Sequence, residues 1–169
     1  MRSTQASLLW LRAARSRRRC KTLRRVPERL LGLIDKSVVS DLERIDADSL
    51  PVEMTIAAVT LAELAAGPHA TAESDERARR QERLQRTEAT FAPLPFDANA
   101  ARAYGRVYAA AAATGRKARG RRAVDLLIAA TALAARLPLY TRNPADFEDL
   151  TGLVDIVTVH ATAADPERT

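Results

Sequence analysis

Four carboxylates stand where a strand would hand over to a helix: Asp35 in Leu33-Ile34-Asp35, Glu63 in Thr60-Leu61-Ala62-Glu63-Leu64, Asp125 in Ala123-Val124-Asp125-Leu126-Leu127, and Asp146 in Thr141-Arg142-Asn143-Pro144-Ala145-Asp146-Phe147. In an α/β protein such junctions gather along one edge of a parallel sheet, so acids far apart in sequence can meet in space. Two carboxylates about 5 Å apart at an effective dielectric near 20 repel by about 3 kcal/mol, so several around one pocket require a cation or shared protons. An all-oxygen site favours Mg²⁺ or Mn²⁺ over zinc. Beside a polyanion such an ion activates water and stabilises a pentavalent phosphate, which points to hydrolysis of nucleic acid. The two histidines, His69 and His160, and the single cysteine, Cys20, supply no zinc cluster and little support for a nucleophilic triad.

Each acid taken singly also has a structural explanation. Thr60-x-x-Glu63 is a capping-box pattern. Asn143 before Pro144 reads as an N-cap with Pro at the first helical position, and Asp146 then suits the positive end of a helix. Asp125 lies near a helix start, and Asp35 is placed to cap a helix beginning after Ser37. Jointly these explanations weaken, because capping accepts Ser, Thr or Asn as well as Asp, whereas all four junctions supply a carboxylate. Just upstream of Asp125, Arg116, Lys117, Arg119, Arg121 and Arg122 put five cations in seven residues. They are placed to hold phosphates over an acidic pocket, or they form a solvated loop. Aromatic residues are only 4% of the chain, which argues against a base-stacking platform as the main grip.

The elements that must position these acids follow from periodicity. Short apolar runs alternate with helical segments, the mark of βαβ units and a mostly parallel sheet. Candidate strands are 30–34, 54–59, 91–96, 137–141 and 154–159. Residues 74–90 predict a surface helix with the acid-before-base pairs Glu73/Arg77, Asp75/Arg79, Glu76/Arg80 and Glu82/Arg86. Residues 97–114 carry Ala100, Ala103, Tyr104, Val107, Tyr108 and Ala111 on one face, an amphipathic helix for packing on the sheet. Residues 124–137 are apolar nearly all round and predict a buried helix, whose polar entrance is Asp125.

Length and composition bound the rest. A chain of 169 residues with 47% hydrophobic residues suits one soluble domain, and no apolar run approaches the roughly 18 residues of a membrane span. One cysteine fits a reducing compartment, with cytoplasm the default. Of 27 Lys/Arg and 21 Asp/Glu, ten bases and one acid fall in residues 1–29, a balance of +9, which leaves 17 bases and 20 acids, −3, for the remainder. The pI of about 10.2 therefore describes an arm. The expected organisation is a basic, disordered N-terminal arm over 1–29, which also imitates a transit peptide, a nuclease domain over 30–160, and a C-terminal tail over 161–169.

The segments Leu33 to Val39, Val59 to Gly67, Asp125 to Ala130 and Thr141 to Phe147 resemble, in order and spacing, the PIN-domain ribonucleases, specifically VapC-type toxins of bacterial toxin–antitoxin pairs. The match runs over about residues 30–159. It implies a three-layer α/β/α fold with a mostly parallel, five-stranded sheet and Mg²⁺- or Mn²⁺-dependent endoribonuclease activity on structured RNA such as tRNA or rRNA. It also implies inhibition of translation, a small VapB-like antitoxin that occludes the site, and a homodimer. By motif position Asp35, Glu63 and Asp125 correspond to the family's acidic metal site, and its last acid falls where Asn143 stands or near Asp146.

On this reading Asp35 and Asp125 are principal metal ligands, Glu63 a ligand or water-orienting base, Asp146 the closing ligand, and Asn143 a neutral ligand or cap. Ser37 orients a water, and Arg116, Lys117, Arg119, Arg121 and Arg122 bind the RNA backbone. One departure is Lys36, where the family commonly has Thr: a cation there either weakens metal binding and changes the metal count, or points away. Lys36 keeps open a second reading, a catalytically weak module that binds RNA or antitoxin without cutting. A third is a phosphatase or receiver-like domain using Asp35 as phosphoryl acceptor.

Overall fold

The computed structural model describes residues 30–161. The expected basic arm over 1–29, with Cys20, and the tail beyond Ala161 lie outside the described residues. Four strands, β1 (Leu31–Ile34), β2 (Glu53–Thr55), β3 (Leu139–Thr141) and β4 (Ile156–Thr158), form one sheet in the order β2-β1-β3-β4, and every pairing is parallel. Five α-helices accompany them: α1 (Lys36–Asp41), α2 (Ala58–Ala66), α3 (Ser74–Thr90), α4 (Ala98–Ala113) and α5 (Arg121–Ala135). Among the described residues no helix is long and apolar enough to cross a membrane.

Neighbouring residues of a strand point to opposite faces, and here they enter two separate cores. Leu33 and Leu139 join one cluster with Ala103, Val107, Leu126 and Ile128 of α4 and α5. Ile34 and Tyr140 join the other with Val38, Val39, Leu64 and Leu84 of α1, α2 and α3. The sheet is thus the middle of three layers, the expected α/β/α arrangement. Gly32 is fixed by the packing of the second core: a Cβ there would lie 2.4 Å from the Tyr140 ring and 2.8 Å from Pro51.

Local sequence places the helices. The Asp97 carboxylate caps α4 by accepting from the backbone N–H groups of Asn99 and Ala100 at 2.9 and 3.0 Å. On that helix Ala100, Ala103, Val107 and Ala111 are buried as expected, but Tyr108 falls at the margin and is 49% exposed. On α3 the Glu76–Arg80 and Glu82–Arg86 pairs form, while Arg77 turns to the Thr71 carbonyl and Arg79 to Glu76.

Three expectations are corrected. The sheet has four strands rather than five, because residues 91–96 reduce to a single bridge between Leu94 and Ala57. Pro93 and Pro95 flank Leu94 and have no N–H to donate, so pairing stops after one rung. The expected strand over 54–59 ends at Thr55, and Ala58 and Val59 already belong to α2. Consequently Thr60 is no N-cap: it lies within α2, fully buried, its hydroxyl without a hydrogen-bond partner, and Ala57 occupies the cap position.

Candidate active site

The strand order reverses direction between β1 and β3, and the crevice beyond the carboxyl ends of those two strands is where α/β sheets place their ligands. Asp35 follows β1 directly. It is buried and is held from three sides: Oδ1 accepts from the Ser37 hydroxyl at 2.6 Å and the Val38 N–H at 2.9 Å, and Oδ2 accepts from the Thr141 hydroxyl at 2.7 Å. The chain leaving β3 fixes both hydroxyls, since the Arg142 N–H donates to Ser37 Oγ and the Asn143 N–H to Thr141 Oγ1, each at 3.0 Å. The Arg142 side chain pairs with Asp41 at the far end of α1. Asp35 therefore does cap α1, in line with the structural explanation for it, but two further donors also orient it toward the crevice.

Asp125 sits in the second turn of α5, past the positions that need a cap, and it is buried. Burial is the main force raising its pKa, to about 6; the charge of Asp146 raises it further and Arg121 opposes, while Glu63 and Asp35 add smaller upward pushes. Acids from three other segments thus bear on Asp125. Lys36 does not point away: its Nζ lies 3.5 Å from Glu63 Oε1. Asn143 is exposed and stands at the N-cap position of the short turn Pro144–Asp146, but its side chain makes no capping bond.

Of the five cations, two are engaged within the protein. Arg116 donates to the Ala145 carbonyl and pairs with Glu148, and Arg122 donates to the Asp146 carbonyl and forms a buried ion pair with Asp149. Their work is to clip the loop before α5 onto the turn that carries Asp146. Lys117, Arg119 and Arg121 are exposed.

The donor set is hard oxygen throughout, which suits Mg²⁺ or Mn²⁺. As the side chains stand, no three described His, Cys, Asp or Glu residues are grouped closely enough to hold an ion. Glu63 Oε1 stands 3.5 Å from Lys36 Nζ, and three of the Asp35 lone-pair directions are already filled.

The PIN-domain family model matches this chain over residues 30–153. The chain belongs to the PIN-domain family. Ribonuclease VapC5 of Mycobacterium tuberculosis is 36% identical over 128 residues, covering 74% of this chain and 91% of that protein. VapBC-5 from the same organism, a member of the VapBC family of toxin–antitoxin systems, has a crystal structure that aligns with a TM-score of 0.66 at 34% identity. That alignment covers 78% of this chain and 99% of the other. FitAcB from Neisseria gonorrhoeae aligns at 0.59 and 28% identity over 75% of this PIN-domain chain and 95% of its own.

Two residues that hold candidate site residues in place escape sequence reasoning. Thr141 stands at the head of a motif singled out for its acid; that it ends a strand registered beside β1 is the signal that could have found it. Asp149, the partner of Arg122, leaves no local signal, because the two are 27 residues apart.

Proposed function

We propose that this PIN domain is a metal-dependent endoribonuclease toxin that cleaves structured RNA such as tRNA or rRNA in the cytoplasm, inhibits translation, and is neutralised by a small VapB-like antitoxin. The observation that carries the reading is the buried Asp125, raised toward neutrality by burial and by three other acids from separate segments. The named function of the VapC5 relative and the toxin–antitoxin setting of VapBC-5 support the activity and the partner. A homodimer is part of the proposal through the family resemblance alone.

Asp35, Asp125 and Asp146 would hold the ion. Bound there, Mg²⁺ or Mn²⁺ would supply positive charge beside the scissile phosphate and make water more acidic. Ser37 and Thr141 keep the Asp35 carboxylate aimed into the crevice. Glu63, at its rim, is placed to orient water and take its proton, and Asn143 offers a neutral amide. Lys117, Arg119 and Arg121 would bind the RNA backbone, with Arg116 and Arg122 holding their loop in position.

Incubating purified protein with total RNA and Mn²⁺, beside Asp35→Asn and Asp125→Asn variants, tests the proposal. Cleavage by the wild type alone is expected; equal cleavage by all three overturns the named site. The second reading, a module that binds RNA or antitoxin without cutting, is favoured by the Lys36–Glu63 contact, and it predicts salt-dependent RNA affinity with no product. Use of Asp35 as a phosphoryl acceptor is disfavoured, because three donors already occupy its oxygens.

A further inference from the structure

Among the described residues Tyr108 is the exposed aromatic side chain, standing at the margin of the α4 face that packs on the core. The half-buried Tyr104, one turn earlier, meets its ring with centroids 6.0 Å apart and planes at 43°. Tyr108 lines a cavity of about 280 Å³ together with Gly115, Arg116, Lys117, Ala118 and Arg119 of the segment that follows α4. Gly115, at φ 75°, turns the chain there, and nothing stands within 4 Å of where its Cβ would be.

This lining is fixed by contacts of its own. Ala118 packs against the core, the Arg119 N–H donates to the Lys117 carbonyl at 3.0 Å, and the Arg116 guanidinium donates to the Ala145 carbonyl at 3.2 Å and to Glu148 at 3.1 Å. Arg116 thus reaches from the cavity to the turn that carries Asp146, which sets the cavity beside the acidic crevice. Lys117 and Arg119 have no acidic partner among the described residues, so two uncompensated cations line the same cavity as the exposed ring.

An aromatic ring with cations beside it recognises a ligand that offers a flat face and a nearby negative charge. A nucleotide offers both, whereas an acidic peptide would meet the cations and leave the ring uncovered. In duplex RNA the base faces are stacked on one another, but an unpaired base can lie on a tyrosine ring. The cavity is slightly smaller than the roughly 300 to 1,000 Å³ of sites for drug-sized ligands, which suits one base. A single ring gives a single stacking step, in keeping with a chain too poor in aromatic residues for a stacking platform.

Resting on the RNA-cutting reading above, we propose that Tyr108 and the segment 115–119 form a subsite for one unpaired nucleotide of the RNA, its base stacked on the Tyr108 ring and its phosphates on Lys117 and Arg119. The stretch of RNA bound beside the crevice is then a single-stranded loop rather than a duplex.

Fluorescence anisotropy on the full-length protein in chelator, with a short oligoadenylate, an abasic strand of equal length and the adenylate duplex as probes, separates base from phosphate recognition without any cleavage. Tyr108→Ala is expected to bind the adenylate strand about tenfold more weakly and the abasic strand and the duplex unchanged. Tyr108→Phe, which keeps the ring, is expected to match the wild type, and melting curves establish that all three proteins are folded. Equal binding of the adenylate strand by Tyr108→Ala and wild type, or an equal loss for all three probes, overturns the inference. So does a Tyr108→Ala protein whose mass in sedimentation falls while its preference for the adenylate strand is kept, since the ring then belongs to a contact between copies of the chain. Each of these results leaves the nuclease reading standing, because that reading is decided by cleavage of total RNA; no binding of any probe together with no cleavage overturns both.

Discussion

Asp125 combines burial with like charge, and its pH behaviour follows from that. Its folded pKa of about 6 lies above the 3.8 of the free group. Between those values the folded state holds more protons than the unfolded one, so the contribution of this residue to stability is present below about pH 4 and is lost as pH rises through 6. The loss amounts to roughly 3 kcal/mol at neutral pH. Asp125→Asn is therefore expected to melt roughly 5 to 10 °C above the wild type at pH 7.5 and at the same temperature near pH 4, measured by thermal denaturation in chelator. Adding Mn²⁺ at a thousand times its Kd should reverse the order at pH 7.5, because the ion stabilises only the wild type, by about 4 kcal/mol. A pH-independent difference between the two proteins would refute the assignment of Asp125 as the strained acid.

Between elements, the Arg122–Asp149 pair joins the first turn of α5 to the turn after β3. Its side chains are 14% and 1% exposed, and Arg122 Nε and Asp149 Oδ1 lack partners. An imperfectly satisfied buried pair is costly to break and cheap to replace. Asp149→Ala should lose about 3 to 5 kcal/mol in urea denaturation, whereas Arg122→Met combined with Asp149→Leu should recover most of it. Thr60 offers the converse case: its unpartnered hydroxyl is removed without a change of shape in Thr60→Val, which should gain about 1 kcal/mol, or roughly 2 to 4 °C in Tm. These elements also show what the sequence can and cannot reveal. The amphipathic helix over 97–114 and the ion-paired helix over 74–90 are legible because their determinants lie within one or two turns. Residues 91–96 mislead because their apolar side chains outweigh two prolines, and Thr60 misleads because a capping pattern does not reveal that the helix has already begun at Ala58. The four acids can be singled out one by one, but the contacts that tune them, Lys36 with Glu63 and Thr141 with Asp35, span 27 and 106 residues and depend on the sheet order.

Over the whole molecule the cations divide by task. Lys117, Arg119 and Arg121 face solvent, while Arg122 is committed to internal bonds. RNA affinity measured by fluorescence anisotropy on the Asp35→Asn background should weaken with salt. Replacing Lys117 or Arg119 by Ala should flatten that slope by roughly 0.7 to 0.9 for each phosphate no longer neutralised, whatever the RNA sequence. Arg122→Ala should instead lower Tm. If all three variants shared one slope with the parent, the loop before α5 would not be the RNA grip.

The bond between Asp35 and Thr141 joins positions 106 residues apart. A growing polypeptide therefore makes its first acid early and the hydroxyl that steadies it near the end. At about 5 to 20 residues per second, on the order of ten seconds of synthesis separate Asp35 from Asp146. Truncated products released in that interval carry the opening half of the pocket and none of its closing half, so a ribosome making this protein is exposed to the finished pocket only after the last strands have been translated.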